Sequence, residues 1–126
     1  MFFSFFLDHV EPALATAPPG QPVRPVVLMD WPAPLCALAR PKPGAPEVVE
    51  RFEAYVGGIE LANAFGELTD PDIQADRLEA DMDMKEELYG VRWPVDDDFL
   101  AALDHGLPDC AGIALGFDRL VMLATG

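Results

Sequence analysis

Two stretches of this 126-residue sequence carry residues whose types and spacing can do chemistry. In the first, Glu53 and Glu60 flank Gly57-Gly58. A two-residue turn at the glycines sets Val56 against Ile59, Tyr55 against Glu60 and Glu53 against Ala62. Glu53 and Glu60 then share one sheet face as diagonal neighbours. Two carboxylates without a base repel each other and call for a cation or for solvent. Magnesium held by one or two carboxylates plus substrate phosphates meets that need; two solvated glutamates on an open face meet it equally. Asn63, Phe65 and Glu67 have the opposite parity, so a straight strand aims them away from Glu60. If all five serve one pocket, the chain must bulge or break near Leu61 to Asn63. Read alone, the alternation is that of a half-buried strand running into a loop.

The second stretch runs from Pro108 to Met122. An apolar strand meets Gly116, then Asp118-Arg119, then an apolar helix. Gly116 lets a planar ligand or a phosphate approach the backbone. Arg119 can stack on an aromatic ring or fork onto a phosphate oxygen, and an Asp118–Arg119 surface pair is the plainer alternative. The stretch is neither a dinucleotide-binding Gly-x-Gly-x-x-Gly nor a P-loop, since no Gly-Lys-Ser/Thr follows. Cys36 and Cys110 have no second sulfur or histidine at metal-ligand spacing and read as reduced, packed thiols. The acids Asp72, Asp76, Glu79, Asp83, Glu86 and Glu87 read as a solvated helix surface, because the ligand alternation and central glycine of a calcium loop are missing.

The elements that must position these residues follow from patterning. Ten of the thirteen prolines lie between Pro12 and Pro46, so the first third is mostly extended or looped. Phe2 to Val10 reads as a short helix closed by Pro12 and a Pro18-Pro19-Gly20 turn. Pro25 to Trp31 is a buried strand, and Pro32 to Pro46 a long surface loop. Val49 to Val56 and Ile59 to Phe65 form a hairpin on Gly57-Gly58. Thr69 or Asp70 caps a helix with Pro71 at its first position and Gly90 at its end, with Ile73, Leu78, Met82, Lys85 and Leu88 as its inward stripe. A helix over Asp97 to His105, a strand over Ala111 to Leu115 and a helix over Phe117 to Ala124 complete an α+β chain with an antiparallel sheet and flanking helices.

Composition bounds the reading. The length fits one domain of roughly 100 to 150 residues, and 51% hydrophobic content excludes a disordered acidic tail. Asp+Glu 22 against Lys+Arg 8 leaves a net charge of −14; residues 1 to 46 balance, so all of it falls in residues 47 to 126. No basic stripe exists to grip nucleic acid. No apolar run approaches the roughly 20 residues of a membrane span. Met1 to Leu7 has no basic leader and ends at Asp8, which predicts no signal peptide and a cytoplasmic protein. Four of the eight phenylalanines lie in the first six residues, and Phe2, Phe3, Phe5 and Phe6 are expected to drive self-association into a homo-oligomer.

Gly112-Ile113-Ala114-Leu115-Gly116-Phe117-Asp118-Arg119-Leu120 resembles motif 3 of the class II aminoacyl-tRNA synthetases. Arg51-Phe52-Glu53, followed by Gly58-Ile59-Glu60-Leu61-Ala62-Asn63-Ala64-Phe65-Gly66-Glu67-Leu68, resembles the strand pair before it in the lysine branch. The resemblance covers residues 48 to 126 in register and the first 47 more loosely. Within the branch, Pro108-Asp109-Cys110-Ala111-Gly112-Ile113-Ala114 is most similar to the elongation factor P lysine ligases, lysyl-tRNA synthetase paralogues without an anticodon-binding domain. Lysyl-tRNA synthetases usually carry glycine where Ala114 stands, and one methyl there changes the shape of the amino-acid pocket, which matters if the preferred substrate is a β-lysine isomer.

The resemblance implies a partial class II catalytic core, residues 1–126 being its C-terminal part with motif 3 present and motifs 1 and 2 absent. It implies ATP-dependent activation of lysine or a lysine isomer, with transfer to elongation factor P or, alternatively, to tRNA. ATP and Mg2+ are the implied cofactors. Glu53 and Glu60 would hold the metal on the ATP phosphates; Arg119 would be the catalytic residue, stacking on the adenine, with Gly116 beside it. Glu67 would pair with the substrate ammonium, Asn63 and Phe65 would shape the pocket, and Ala114 and Gly116 would line its floor. Without the motif 2 arginine, the chain alone is expected to be inactive. The remaining readings are a non-catalytic synthetase-like binding module and, from composition alone, an acidic interaction domain.

Overall fold

The computed structural model describes residues 2–17 and 22–126, with side chains of the first helix from Ser4 onward. Five strands form one antiparallel sheet: β1 (Val26–Pro32), β2 (Pro41–Lys42), β3 (Ala45–Val56), β4 (Ile59–Gly66) and β5 (Ala111–Leu115). The order is β1-β3-β4-β5, with β2 paired to β3. Helices α1 (Phe2–Phe5), α2 (Glu11–Leu14), α3 (Pro71–Tyr89), α4 (Asp97–His105) and α5 (Phe117–Thr125) flank it. The expected α+β class and the antiparallel sheet are both present. Among the described residues no helix is long and apolar enough to cross a membrane. The chain's contacts divide it into two units, one built from residues up to Met29, Arg51–Ala64 and Ile113–Gly126, the other from Asp30–Glu50 and Phe65–Gly112.

In the first unit, Gly57 and Gly58 have φ of 60° and 79°, the two successive positive values of a primed hairpin turn. Gly58 is also demanded by packing: a Cβ there would lie 2.6 Å from the Ala15 Cβ. Phe6, Glu53, Tyr55, Ala62 and Ala64 are buried. The N-terminal helix does not stop at Pro12. A π-type segment, Phe6–Val10, joins α1 to α2, and Pro12 falls in the first turn of α2, where its fixed φ is already helical. Phe6 is buried whereas Phe5 is 59% exposed, so Phe6 does not belong to an exposed aromatic patch. The side chains of Phe2 and Phe3, and the Pro18-Pro19-Gly20 turn, lie outside the described residues.

The second unit corrects two expectations. Residues 32 to 46 are not a surface loop: they hold a 3-10 turn, Ala33–Leu35, strand β2 and the start of β3. Gly44, at φ 81°, reverses the chain so that Lys42 stands opposite Ala45 and Pro41 opposite Val49. Pro41 fits in so short a strand because few ladder bonds depend on its missing donor. Trp31, Cys36, Ala39 and Val49 are buried here.

Helix α3 starts and stops as its sequence predicts. Asp70 accepts the Ile73 amide at 3.0 Å, Pro71 opens the helix, and Gly90 ends it at φ 69°. Its inward stripe differs. Met82 is buried, but Ile73 and Leu88 are 41% and 65% exposed, while Gln74 is 1% exposed. Gln74 Nε2 donates to the Ala37 carbonyl at 3.1 Å, and Arg77 Nη1 donates to the carbonyls of Cys36 and Ala39 at 3.0 and 2.7 Å. The helix turns polar residues inward because they donate to the carbonyls of Cys36, Ala37 and Ala39, backbone acceptors that need partners once covered. The acid run is exposed, as expected, and Arg92 bridges Glu79, Asp83 and Glu86 within it.

Candidate functional site

In the first unit β3 supplies Glu53, β4 supplies Glu60 and Asn63, β5 supplies Ala114, α5 supplies Arg119, and Gly116 lies at the junction of the last two. Glu53 is 5% exposed and accepts three hydrogen bonds. Arg51 Nη2 and Asn63 Nδ2 donate to its Oε1 at 2.5 and 3.1 Å, and the Tyr55 hydroxyl donates to Oε2 at 2.6 Å. Arg51 also supplies the opposite charge that a buried carboxylate requires. Burial pushes the Tyr55 phenol well above its ordinary value, and the Glu53 bond and the charges of Glu53 and Glu60 push it the same way. Tyr55 is therefore a neutral donor at physiological pH.

The Asn63–Glu53 bond resolves the parity conflict. A straight register puts Glu53 opposite Ala62 and Asn63 on the other face, yet Asn63 reaches Glu53, so the two share a side. Further along β4, buried Ala62, Ala64 and Gly66 alternate with half-buried Asn63, Phe65 and Glu67. Asn63 Oδ1 is buried and has no hydrogen-bond partner among the described residues. A buried acceptor in that condition is costly and is satisfied by a donor such as an amine or water.

Arg119 reaches Glu60. Its Nη1 donates to the Glu60 carbonyl at 2.6 Å and lies 3.5 Å from Glu60 Oε2. Gly116 makes this reach available: a Cβ on it would lie 3.1 Å from Arg119 Cδ and 3.4 Å from Cγ, so the arginine stem lies over the bare backbone. The Gly116 amide donates to the Leu61 carbonyl at 2.9 Å. Both carboxylates thus have organic partners. Glu60, with a side chain 35% exposed, is the more accessible; Glu53 has three of roughly four lone-pair positions taken. Among the described residues no group of three or more histidine, cysteine, aspartate or glutamate side chains could hold a metal by itself. One or two carboxylates completed by phosphate oxygens is the arrangement these residues fit.

Phe65 and Glu67 belong to the second unit, where both are half-buried. The Glu67 amide donates to the Cys110 carbonyl at 3.0 Å, and Ala39 forms an isolated bridge with Glu67. Leu61 on β4 and Glu67 just beyond its end are as far apart in sequence as Gly116 and Cys110, their hydrogen-bond partners. The antiparallel register therefore runs without slippage, with Gly112 opposite Phe65 and Ala114 opposite Asn63. Ala114 is exposed. The sequence reading missed Arg51 and Tyr55 as partners of Glu53; the signal was available, since residues two apart on a strand share a face.

Comparison with known proteins gives a consistent picture. The family model for class II tRNA synthetases (D, K and N) matches residues 18–126. The elongation factor P–(R)-β-lysine ligase of Vibrio cholerae serotype O1 is 48% identical over 121 residues, 96% of this chain and 36% of that protein. The protein of the same name from Vibrio vulnificus is 48% identical over 107 residues, 85% of this chain and 33% of its own. That from Klebsiella pneumoniae subsp. pneumoniae is 50% identical over 104 residues, 82% and 32% respectively. The chain spans about a third of the length of these curated relatives. Two motifs in family order, the antiparallel sheet that carries them and the matched length together make this chain a member of the class II tRNA synthetase family of the D, K and N group.

Proposed function

We propose that residues 1–126 are the C-terminal part of the catalytic domain of a cytoplasmic, ATP-dependent lysine-activating ligase. Its substrate is lysine or a β-lysine isomer, and its acceptor is a lysine side chain of elongation factor P. The relatives support this through their name and their 48–50% identity. The observation that carries it is the gathering of Glu53 with Asn63, and of Glu60 with Arg119, within one unit. The β-isomer is favoured by Ala114, a methyl-bearing residue opposite Asn63 on β5.

In this reading a lysine carboxylate oxygen attacks the α-phosphorus of ATP, and the bond to the bridging oxygen breaks to release pyrophosphate. The acceptor amine then attacks the acyl carbon, loses its proton, and AMP departs. Such chemistry asks the protein for placement and charge more than for a base. Arg119, held by the Glu60 carbonyl, presents a guanidinium plane for the adenine to stack on. Glu60 and Glu53 would hold a magnesium ion, which would neutralise phosphate charge. Asn63 Oδ1 accepts from the substrate amine, and Glu67 pairs with the substrate ammonium.

The test is a calorimetric titration of the 126-residue chain with ATP and magnesium, run beside Glu60→Ala and Arg119→Ala. Each substitution is expected to weaken binding about tenfold, the loss of one charge-assisted contact. If neither changes the affinity, the assignment of this pocket is wrong.

A further inference from the structure

We propose that Gly112 is a positioning residue for Glu67: the absence of a side chain at 112 fixes where the Glu67 carboxylate sits, and so how tightly a substrate ammonium is held. This rests on the reading of Glu67 as the ammonium partner. The Glu67 backbone is held on two sides within the second unit. Its amide bonds the Cys110 carbonyl at 3.0 Å, Ala39 bridges it, and the next amide, Leu68, bonds the Leu38 carbonyl at 3.0 Å. With the backbone fixed, only the side chain can adjust. It lies back across β5, with Oε1 2.6 Å from where a Cβ on Gly112 would stand and Cδ 3.8 Å from it.

Gly112 is not required by its own backbone. It is absent from the positive-φ glycines, so an L side chain is conformationally acceptable there. What the glycine protects is the far end of one flexible side chain, not a backbone segment. A methyl at 112 therefore spares the fold and displaces the carboxylate, because a Cβ–oxygen contact of 2.6 Å is not tolerated. A glycine kept only for strand packing would give the opposite pattern, a stability change with no effect on a distant oxygen.

The experiment compares the 126-residue chain with Gly112→Ala and Glu67→Gln. The Glu67 side-chain carboxyl carbon is followed by NMR without ligand, and affinity for (R)-β-lysine and for L-lysine is then measured by titration, with circular dichroism as the check on folding. Gly112→Ala is expected to fold, to move the Glu67 carboxyl resonance, and to weaken lysine binding about tenfold, close to the loss in Glu67→Gln. An unmoved carboxyl resonance in folded Gly112→Ala overturns the seat whatever the ligand does. So does unchanged lysine affinity in Gly112→Ala alongside a loss in Glu67→Gln. A parent that binds neither isomer, or a Glu67→Gln that binds as the parent does, instead overturns the role of Glu67 and with it the effect claimed for Gly112 on affinity.

Discussion

Replacing Tyr55 with phenylalanine isolates a single buried bond. The ring is 3% exposed and stays packed; only the hydroxyl that donates to Glu53 Oε2 at 2.6 Å is lost. A hydrogen bond to a charged, buried acceptor contributes about 2 kcal/mol, so Tyr55→Phe should lower stability by about that amount at pH 7. The pH dependence gives a second, independent reading. The folded-state pKa is raised above the ordinary 10.0, so the unfolded chain ionises first. The stabilisation is therefore fully present below pH 10 and is lost as pH rises toward the folded value. The parent loses about 1.4 kcal/mol per pH unit in that window, a loss the phenylalanine variant lacks. The difference between them should thus shrink to nothing near pH ~11.5, one and a half units above the unfolded value. Urea denaturation followed by circular dichroism between pH 7 and pH 11.5 measures both quantities. Equal stability at pH 7, or a gap that stays constant through alkaline pH, refutes the Tyr55–Glu53 bond and the packing assigned to Glu53.

Two further substitutions test the framework. Gly58→Ala forces a left-handed φ of 79° on alanine and drives its Cβ to 2.6 Å from Ala15, so it should cost about 2–3 kcal/mol, whereas Gly44→Ala, equally left-handed but facing open space, should cost about 1 kcal/mol in the same thermal melts. Arg77→Ala removes the side-chain donor to the Cys36 and Ala39 carbonyls and should cost about 2 kcal/mol, with faster hydrogen exchange at the Leu68 amide, whose acceptor Leu38 lies between them.

What the sequence made legible was local. Asp70-Pro71 and Gly90 bound α3 because a cap, a proline and a left-handed glycine act within one turn. Gly57-Gly58 sets its hairpin for the same reason. The errors lie where distant segments meet. Gln74 and Arg77 look like surface residues until the carbonyls of Ala37 and Ala39 are known to need donors. Residues 32 to 46 look like a loop because prolines advertise irregularity, while the pairing of β2 with β3 depends on a turn at Gly44. In the candidate site, residue types were readable from the motifs, but the partners of Glu53 were not. Asn63 reaches it against the parity that a straight register from the Gly57-Gly58 turn supplies.

Arg92 folds back along α3 to meet Glu79, Asp83 and Glu86, three acids spaced so that each faces the next along the helix. One guanidinium thus serves as a resident counter-ion for a flank that would otherwise push itself apart. Dissolved electrolyte weakens its grip on each carboxylate and, in the same measure, quiets the quarrel among the carboxylates themselves. The two responses oppose each other, so ionic strength moves this flank of the helix less than it would move either set of charges alone.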